Sequence, residues 1–162
     1  MGIDPGSNCT GYGIVDENNR QLKAVSWGGI RCDAKQPFSQ RLKQIYDELL
    51  RIMAEFSPDS VAVESLFFAS NAQSALKLGQ VRGVVLLAAV NSGKPIGEYS
   101  PLEVKQSVVG YGRADKEQVR AMVTTLLRLK EKPEPLDASD ALAIAIAHIH
   151  MAKAKALREM VE

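Results

Sequence analysis

Four acidic residues stand where they could do chemistry. Asp4 lies in the turn sequence Gly2-Ile3-Asp4-Pro5-Gly6, Glu64 follows the short apolar run Ser60-Val61-Ala62-Val63, and Asp137 and Asp140 lie three apart at a helix start. A spacing of three puts two side chains on one helical face. Hard divalent cations take oxygen ligands from a few carboxylates, with water and substrate phosphate completing the shell. Two such ions about 4 Å apart can activate a water and stabilise the leaving oxygen of a phosphodiester. Carboxylates at strand ends, facing carboxylates on a helix, would build that cage. Each acid also has a purely structural reading. Asp-Pro-Gly is a common turn, and Glu64 can mark where a buried strand reaches water. Asp137, after Pro133 and Pro135, reads as an N-cap, and Asp140 as a first-turn acid favoured by the helix dipole. Placement alone leaves both readings open.

The elements that must position these acids are legible in outline. Residues 11–17 and 20–27 carry β-branched and aromatic side chains and are joined by Asn18-Asn19, a hairpin turn sequence; residues 28–32 continue or bend the second strand. Residues 37–56 place Phe38, Leu42, Ile45, Tyr46, Leu49, Ile52, Met53 and Phe56 on one stripe, which predicts a helix. The run 60–63 is apolar on both faces, as in a buried central strand. Helix 70–91 is stopped by Ser92-Gly93, and 94–99 is a weak strand. Ser100-Pro101-Leu102-Glu103 has the makings of a capping box with proline in the first turn. That helix ends near Gly110, another runs from Asp115 to about Leu129, and a last one starts near Asp137. Strands first, then helices alternating with strands, predict an α/β fold with a mixed sheet flanked by helices.

A chain of 162 residues suits one domain with a real core, spanning 1–162. Cys9 and Cys32 stand far apart in no metal-binding pattern, so a reducing, cytoplasmic setting is expected. Neither a signal peptide nor a membrane span is expected. Net charge is +1, but it is unevenly spread: residues 65–130 carry nine basic and four acidic side chains, while the segments on either side each sum to −2. A basic middle beside a carboxylate site suits a phosphate-binding face; chance segregation on a solvated surface suits it equally.

The ordered blocks decide more. Gly2-Ile3-Asp4-Pro5-Gly6 with Thr10-Gly11-Tyr12-Gly13 resembles the opening of the RuvC resolvases. So do Ala62-Val63-Glu64-Ser65-Leu66-Phe67-Phe68, the run from Asn71 to Gln80, Ser100-Pro101-Leu102-Glu103-Val104-Lys105-Gln106, the loop from Gly110 to Lys116, and Asp137-Ala138-Ser139-Asp140-Ala141-Leu142-Ala143. The resemblance spans nearly the whole chain. It implies an RNase H-like fold and a homodimer that nicks two opposed strands of a Holliday junction, together with the branch-migration proteins RuvA and RuvB. It implies Asp4, Glu64, Asp137 and Asp140 as catalytic metal ligands for Mg²⁺, two ions per subunit, with Mn²⁺ able to substitute. One departure is that family members carry a few more apolar residues ahead of the Gly-Ile-Asp block, so a short first strand is expected here.

DNA contacts are expected from the basic middle. Phe67 and Phe68 follow the Glu64 strand, and the resemblance selects Phe67 as the ring near the crossover; Phe68 reads better as core. Lys105, Arg113 and Lys116 surround a glycine-containing loop between two capped helices, where backbone N–H groups and lysines could hold phosphate. Lys77 and Arg82 lie near Gly79 and Gly83 on the 70–91 helix, whose spacing permits close approach by the sheet, a partner helix or DNA. His148 and His150 are two apart, share no helical face and read as solvated or structural. Two other classes compete: a junction-binding protein without catalysis, and a nucleotide-binding module of the actin-like ATPase type. The first would make some of the four carboxylates dispensable. The second would need a repeat of the Asp4 block, which is absent.

Overall fold

The computed structural model of the chain describes residues 1–65 and 72–159. Five strands, β1 (Gly2–Asp4), β2 (Cys9–Asn18), β3 (Gln21–Arg31), β4 (Val61–Glu64) and β5 (Ile96–Tyr99), form one sheet in the order β3-β2-β1-β4-β5. The first three are antiparallel; β1–β4 and β4–β5 are parallel. Helices α1 (Phe38–Phe56), α2 (Ala72–Asn91), α3 (Pro101–Val109), α4 (Lys116–Leu126) and α5 (Leu136–Glu159) flank it. The mixed sheet expected from the sequence is present, and β1 is indeed short.

Strand periodicity sorts the core into two layers. Ile3, Val61 and Val63 pack with Ile45, Leu49 and Ile52 of α1 and Val81 and Val85 of α2. Ala62, between the two valines, packs on the other face with Val104, Val123, Leu142 and Ile146 of α3, α4 and α5. Successive strand side chains alternate between faces. Asp4, one residue after Ile3, and Glu64, one after Val63, therefore belong to the α5 face. That face of β1 and β2 is floored by glycine. A Cβ at Gly2 would overlap the Ala141 carbonyl, one at Gly11 the Asp137 carbonyl, and one at Gly13 would come within 2.7 Å of Leu142 N. Helix α5 thus rests directly on strand backbone, and its first turn is drawn down to the strand ends.

Three boundaries differ from expectation. The hairpin turn falls one residue later: Asn18 pairs with Gln21, and Asn19 and Arg20 adopt φ values of 52° and 66°. Two consecutive positive φ angles are what a two-residue type I′ turn requires. Helix α4 ends at Leu126, three residues early, because the chain turns back at Arg128 (φ 52°) and Leu129 N bonds Thr124 O. Helix α5 begins at Leu136, which places Asp137 inside its first turn and not at the cap. The capping box expected at Ser100 is complete, with Glu103, and α4 opens on a second one, Asp115 with Gln118.

Ser139, between the two helix-borne acids, is buried, and its Oγ has no hydrogen-bond partner among the described residues. A buried hydroxyl left unpaired costs about 1–3 kcal/mol. Ser139→Ala is therefore expected to raise stability by about 1 kcal/mol, or Tm by roughly 2–4 °C. Thermal denaturation reads this, and an unchanged or lower Tm would show that Oγ is satisfied.

Candidate active site

The site is assembled from two strand ends and the opening turns of three helices. Asp4 ends β1, Glu64 ends β4, and Asp140 projects from the first turns of α5 onto the same face. These three acids, with Pro101, Val104, Lys105, Lys116, Val119 and Ala143, line one cleft of about 290 Å³. Lys116, first residue of α4, donates from Nζ to Asp140 Oδ2 at 2.9 Å. Lys105 lies close enough to Glu64 to favour its charged form.

The electrostatics are those of a crowded anion cluster. Burial raises the Asp4 carboxyl from its ordinary 3.8 to about 8, with repulsion from Asp140, Glu64 and Asp137 adding to the effect and Lys116 opposing it. Burial likewise raises Glu64, again with Asp140 adding. Lys116 moves up, held in its charged form first by the hydrogen bond to Asp140. Two lysines, Lys105 and Lys116, cannot balance four acids. Desolvated, mutually repelling oxygen donors match the chemistry of a hard divalent cation. Among the described residues no three potential ligands already stand at the spacing of a single ion's shell. The set fits a metal by donor type and charge, not as a finished cage.

The sequence candidates are not all equivalent in place. Asp137 is near enough to repel Asp4, yet it does not line the cleft; its carboxylate lies against the Cys9 thiol at the start of β2. Burial, with Asp137 adding, pushes that thiol up to about 11, so Cys9 stays a neutral donor. Arg113 is exposed in the α3–α4 connection, and Lys77 is exposed on α2. Arg82 is not a free cation: its guanidinium pairs with Glu98 on β5, and Nε reaches the Glu64 carbonyl at 3.4 Å. It braces the back of the Glu64 strand end. Phe67 and Phe68 lie outside the described residues. Among the described residues, nothing lies within 4 Å of a Cβ placed at Gly83. His148 is structural as expected, bonded to Ser60 Oγ at 2.8 Å and Tyr99 Oη at 2.7 Å. Sequence reasoning missed Arg41, which is buried behind the loop joining Asp4 to Cys9. The signal was there: Arg41 stands four residues before Ile45 on the buried stripe of α1.

A five-stranded mixed sheet of this order, with strand-end acids facing an acid-bearing helix, defines an RNase H-like protein with a nuclease-type acidic site. Comparison with known proteins narrows the class. The family described as "Crossover junction endodeoxyribonuclease RuvC" matches residues 1–148. Curated relatives of that name include one from Pelobacter propionicus, 54% identical over 142 residues, covering 88% of this chain and 80% of the relative. Another, from Geobacter sulfurreducens, is 52% identical over 142 residues, covering 88% and 86%. Among solved structures, Thermus thermophilus RuvC in complex with Holliday junction substrate superposes with a TM-score of 0.90 at 37% identity, over 95% of this chain and 94% of that one. The chain belongs to the RuvC family of crossover junction endodeoxyribonucleases, which are metal-dependent nucleases.

Proposed function

We propose that this protein is a structure-selective DNA endonuclease that resolves Holliday junctions by Mg²⁺-dependent hydrolysis, nicking two symmetry-related strands in recombination and repair. The observation that carries the reading is the convergence of Asp4, Glu64 and Asp140 on one cleft, with Asp137 close behind and Lys105 and Lys116 at its rim. Family membership and the junction-bound T. thermophilus relative support the substrate. Asp4, Glu64, Asp137 and Asp140 would hold two Mg²⁺ ions, with Mn²⁺ able to substitute, and the ions would supply an activated water and charge stabilisation at the leaving oxygen. Asp4 must give up its proton for that set to ligate. Lys116 and Lys105 then stabilise phosphate charge, and Phe67 shapes the crossover. The test is nicking of a synthetic four-way junction with and without Mg²⁺, with Asp140→Asn as control. Equal cutting by the control, or no cutting at all, would refute the reading.

The lysines carry a separate prediction. Junction binding should weaken steeply with salt, and Lys105→Ala and Lys116→Ala should each lower the slope of log affinity against log salt by about 1. A slope unchanged in both variants would remove the lysines from the DNA face. Lys77 and Arg113, exposed on the same basic middle, would contact phosphate further out. The reading places the protein in the cytoplasm, working with RuvA and RuvB.

Paired nicks call for two acidic sites related by a two-fold axis, and closed two-fold dimers are the commonest oligomer. Helix α2 supports a homodimer: Val81, Val85, Ala88 and Ala89 are spent on the core, yet Leu76, Leu87 and Val90 remain exposed beside the open Gly83. Sedimentation at micromolar protein is expected to give the dimer mass, and a strict monomer with and without junction would defeat this part of the reading.

A further inference from the structure

Asp4 and Cys9 are joined by a loop of four residues, 5–8, and this loop is gripped from two sides. From within, Thr10 Oγ1 donates to Gly6 O at 2.8 Å and accepts from Gly6 N at 3.4 Å. From behind, Arg41 of α1 donates from Nη1 to Ser7 O at 3.2 Å and to Asn8 Oδ1 at 3.0 Å. Asn8 O in turn accepts from Cys32 N at 2.9 Å, just past the end of β3.

Arg41 is an expensive residue for this place. It is only 8% exposed, no carboxylate pairs with it among the described residues, and its Nε is buried with no hydrogen-bond partner. The Phe38 ring, 4.9 Å from the guanidinium carbon, gives partial relief. Burying a charge without its counter-ion costs several kcal/mol, and an aliphatic side chain would complete the stripe that runs on through Ile45, Leu49 and Ile52. Its use must lie in what it holds. One end of the loop is Asp4; the other is Cys9, whose thiol lies against Asp137.

We propose that Arg41 is a positioning residue for the acidic site: by fixing loop 5–8 it sets the separation of Asp4 from Asp137, without touching ion or DNA. The inference rests on the reading of the four acids as metal ligands. Groups that hydrogen-bond a metal ligand directly commonly change metal affinity by about 10–100-fold, and Arg41 acts one step further out, through the loop that carries Asp4.

The test is calorimetric titration of metal-free protein with Mn²⁺, alongside junction binding in chelator and junction cleavage. Arg41→Met should fold, since exchanging a buried charge for an apolar chain of like volume is often neutral. It should bind Mn²⁺ at least about 10-fold more weakly and cleave more slowly, with junction binding in chelator unchanged. Arg41→Lys, which keeps the charge but loses the paired contacts, should behave like Arg41→Met. Asn8→Ala, at an exposed position, should shift affinity the same way by less, and it decides alone if Arg41→Met does not fold. Mn²⁺ affinity within about twofold of wild type in Asn8→Ala and in every Arg41 variant that folds overturns the proposal, even with a lowered Tm. So does a wild-type-like Arg41→Lys beside a defective Arg41→Met, which would make charge and not position the agent. If wild type binds Mn²⁺ no better than Asp140→Asn, the ligand reading itself fails.

Discussion

Asp4→Asn is expected to abolish junction cleavage and, in divalent-free buffer at pH 9, to melt at a higher temperature than wild type. The first half follows from ligand loss. Disturbing a second-sphere partner of a metal ligand already costs about 10–100-fold, so loss of a ligand should cost more than about 100-fold in rate. The second half follows from linkage. The folded protein holds the Asp4 proton up to about pH 8, chiefly because the carboxyl is buried and then because Asp140, Glu64 and Asp137 repel its charge; the unfolded chain releases it near 3.8. Between those values folding takes up a proton, so stability falls as pH rises. The contribution is fully present below about pH 4 and is lost as pH climbs through about 8. A neutral asparagine has no such loss. Melting curves in chelator at pH 5 and pH 9 should show wild type weakening between the two and Asp4→Asn weakening less, while nicking assays with Mg²⁺ show the variant inactive. A variant that cuts within about tenfold of wild type would take Asp4 out of the ligand set. Equal pH dependence of the two melting points would mean that the carboxylates are not crowded in the way described.

Much of this site was legible as pattern, and the reason is periodicity. Val61-Ala62-Val63 reads as a buried strand, and period two then fixes which face Glu64 shares with Ala62. The same rule carries Asp4 from Ile3. The capping boxes at Ser100 and Asp115 were visible because both partners lie within one turn. What the chain did not disclose were partners distant in sequence. Arg82 belongs to the basic middle by composition, but its counter-ion Glu98 comes from a strand sixteen residues on, and that pairing removes it from the free cations. Arg41 looks like any polar residue on an amphipathic helix until loop 5–8, some thirty-four residues earlier, is laid across it. Asp137 and Asp140 share a helical face by spacing, yet only Asp140 lines the cleft, because strand β2 brings Cys9 up against Asp137. The Thr10-Gly11-Tyr12-Gly13 block was recognisable as a resemblance well before a physical cause for its glycines could be given.

That cause sets the second large effect. Gly11→Ala is expected to destabilise the protein by at least about 3 kcal/mol and to abolish cleavage, although Gly11 is neither acid nor base. A methyl group there would overlap the carbonyl of Asp137 and lie 3.0 Å from Ala138 N. Both are helix backbone, which cannot rotate aside as a flexible side chain can. Either β2 sinks or the first turn of α5 lifts. Gly11 pairs with Asp4 in the sheet, so the lift falls directly above the site. It would carry Asp137 and Asp140 away from Asp4 and Glu64 together, and a misplacement of about 1 Å can cost about 100-fold in rate. For a chain of this size, 3 kcal/mol corresponds to a fall in Tm of roughly 6–12 °C. Gly28→Ala provides the contrast. Gly28 lies on β3 opposite Tyr12, and the three atoms nearest to a Cβ there would all belong to the Tyr12 ring and hydroxyl, at 3.0–3.2 Å. The ring can give by a few tenths of an ångström, so the cost should stay below about 1.5 kcal/mol with cleavage retained. Thermal denaturation and junction nicking on the two variants decide the matter. If Gly11→Ala melts and cuts like Gly28→Ala, then α5 is not seated on bare strand backbone, and the acids are held in place by something other than the glycine floor.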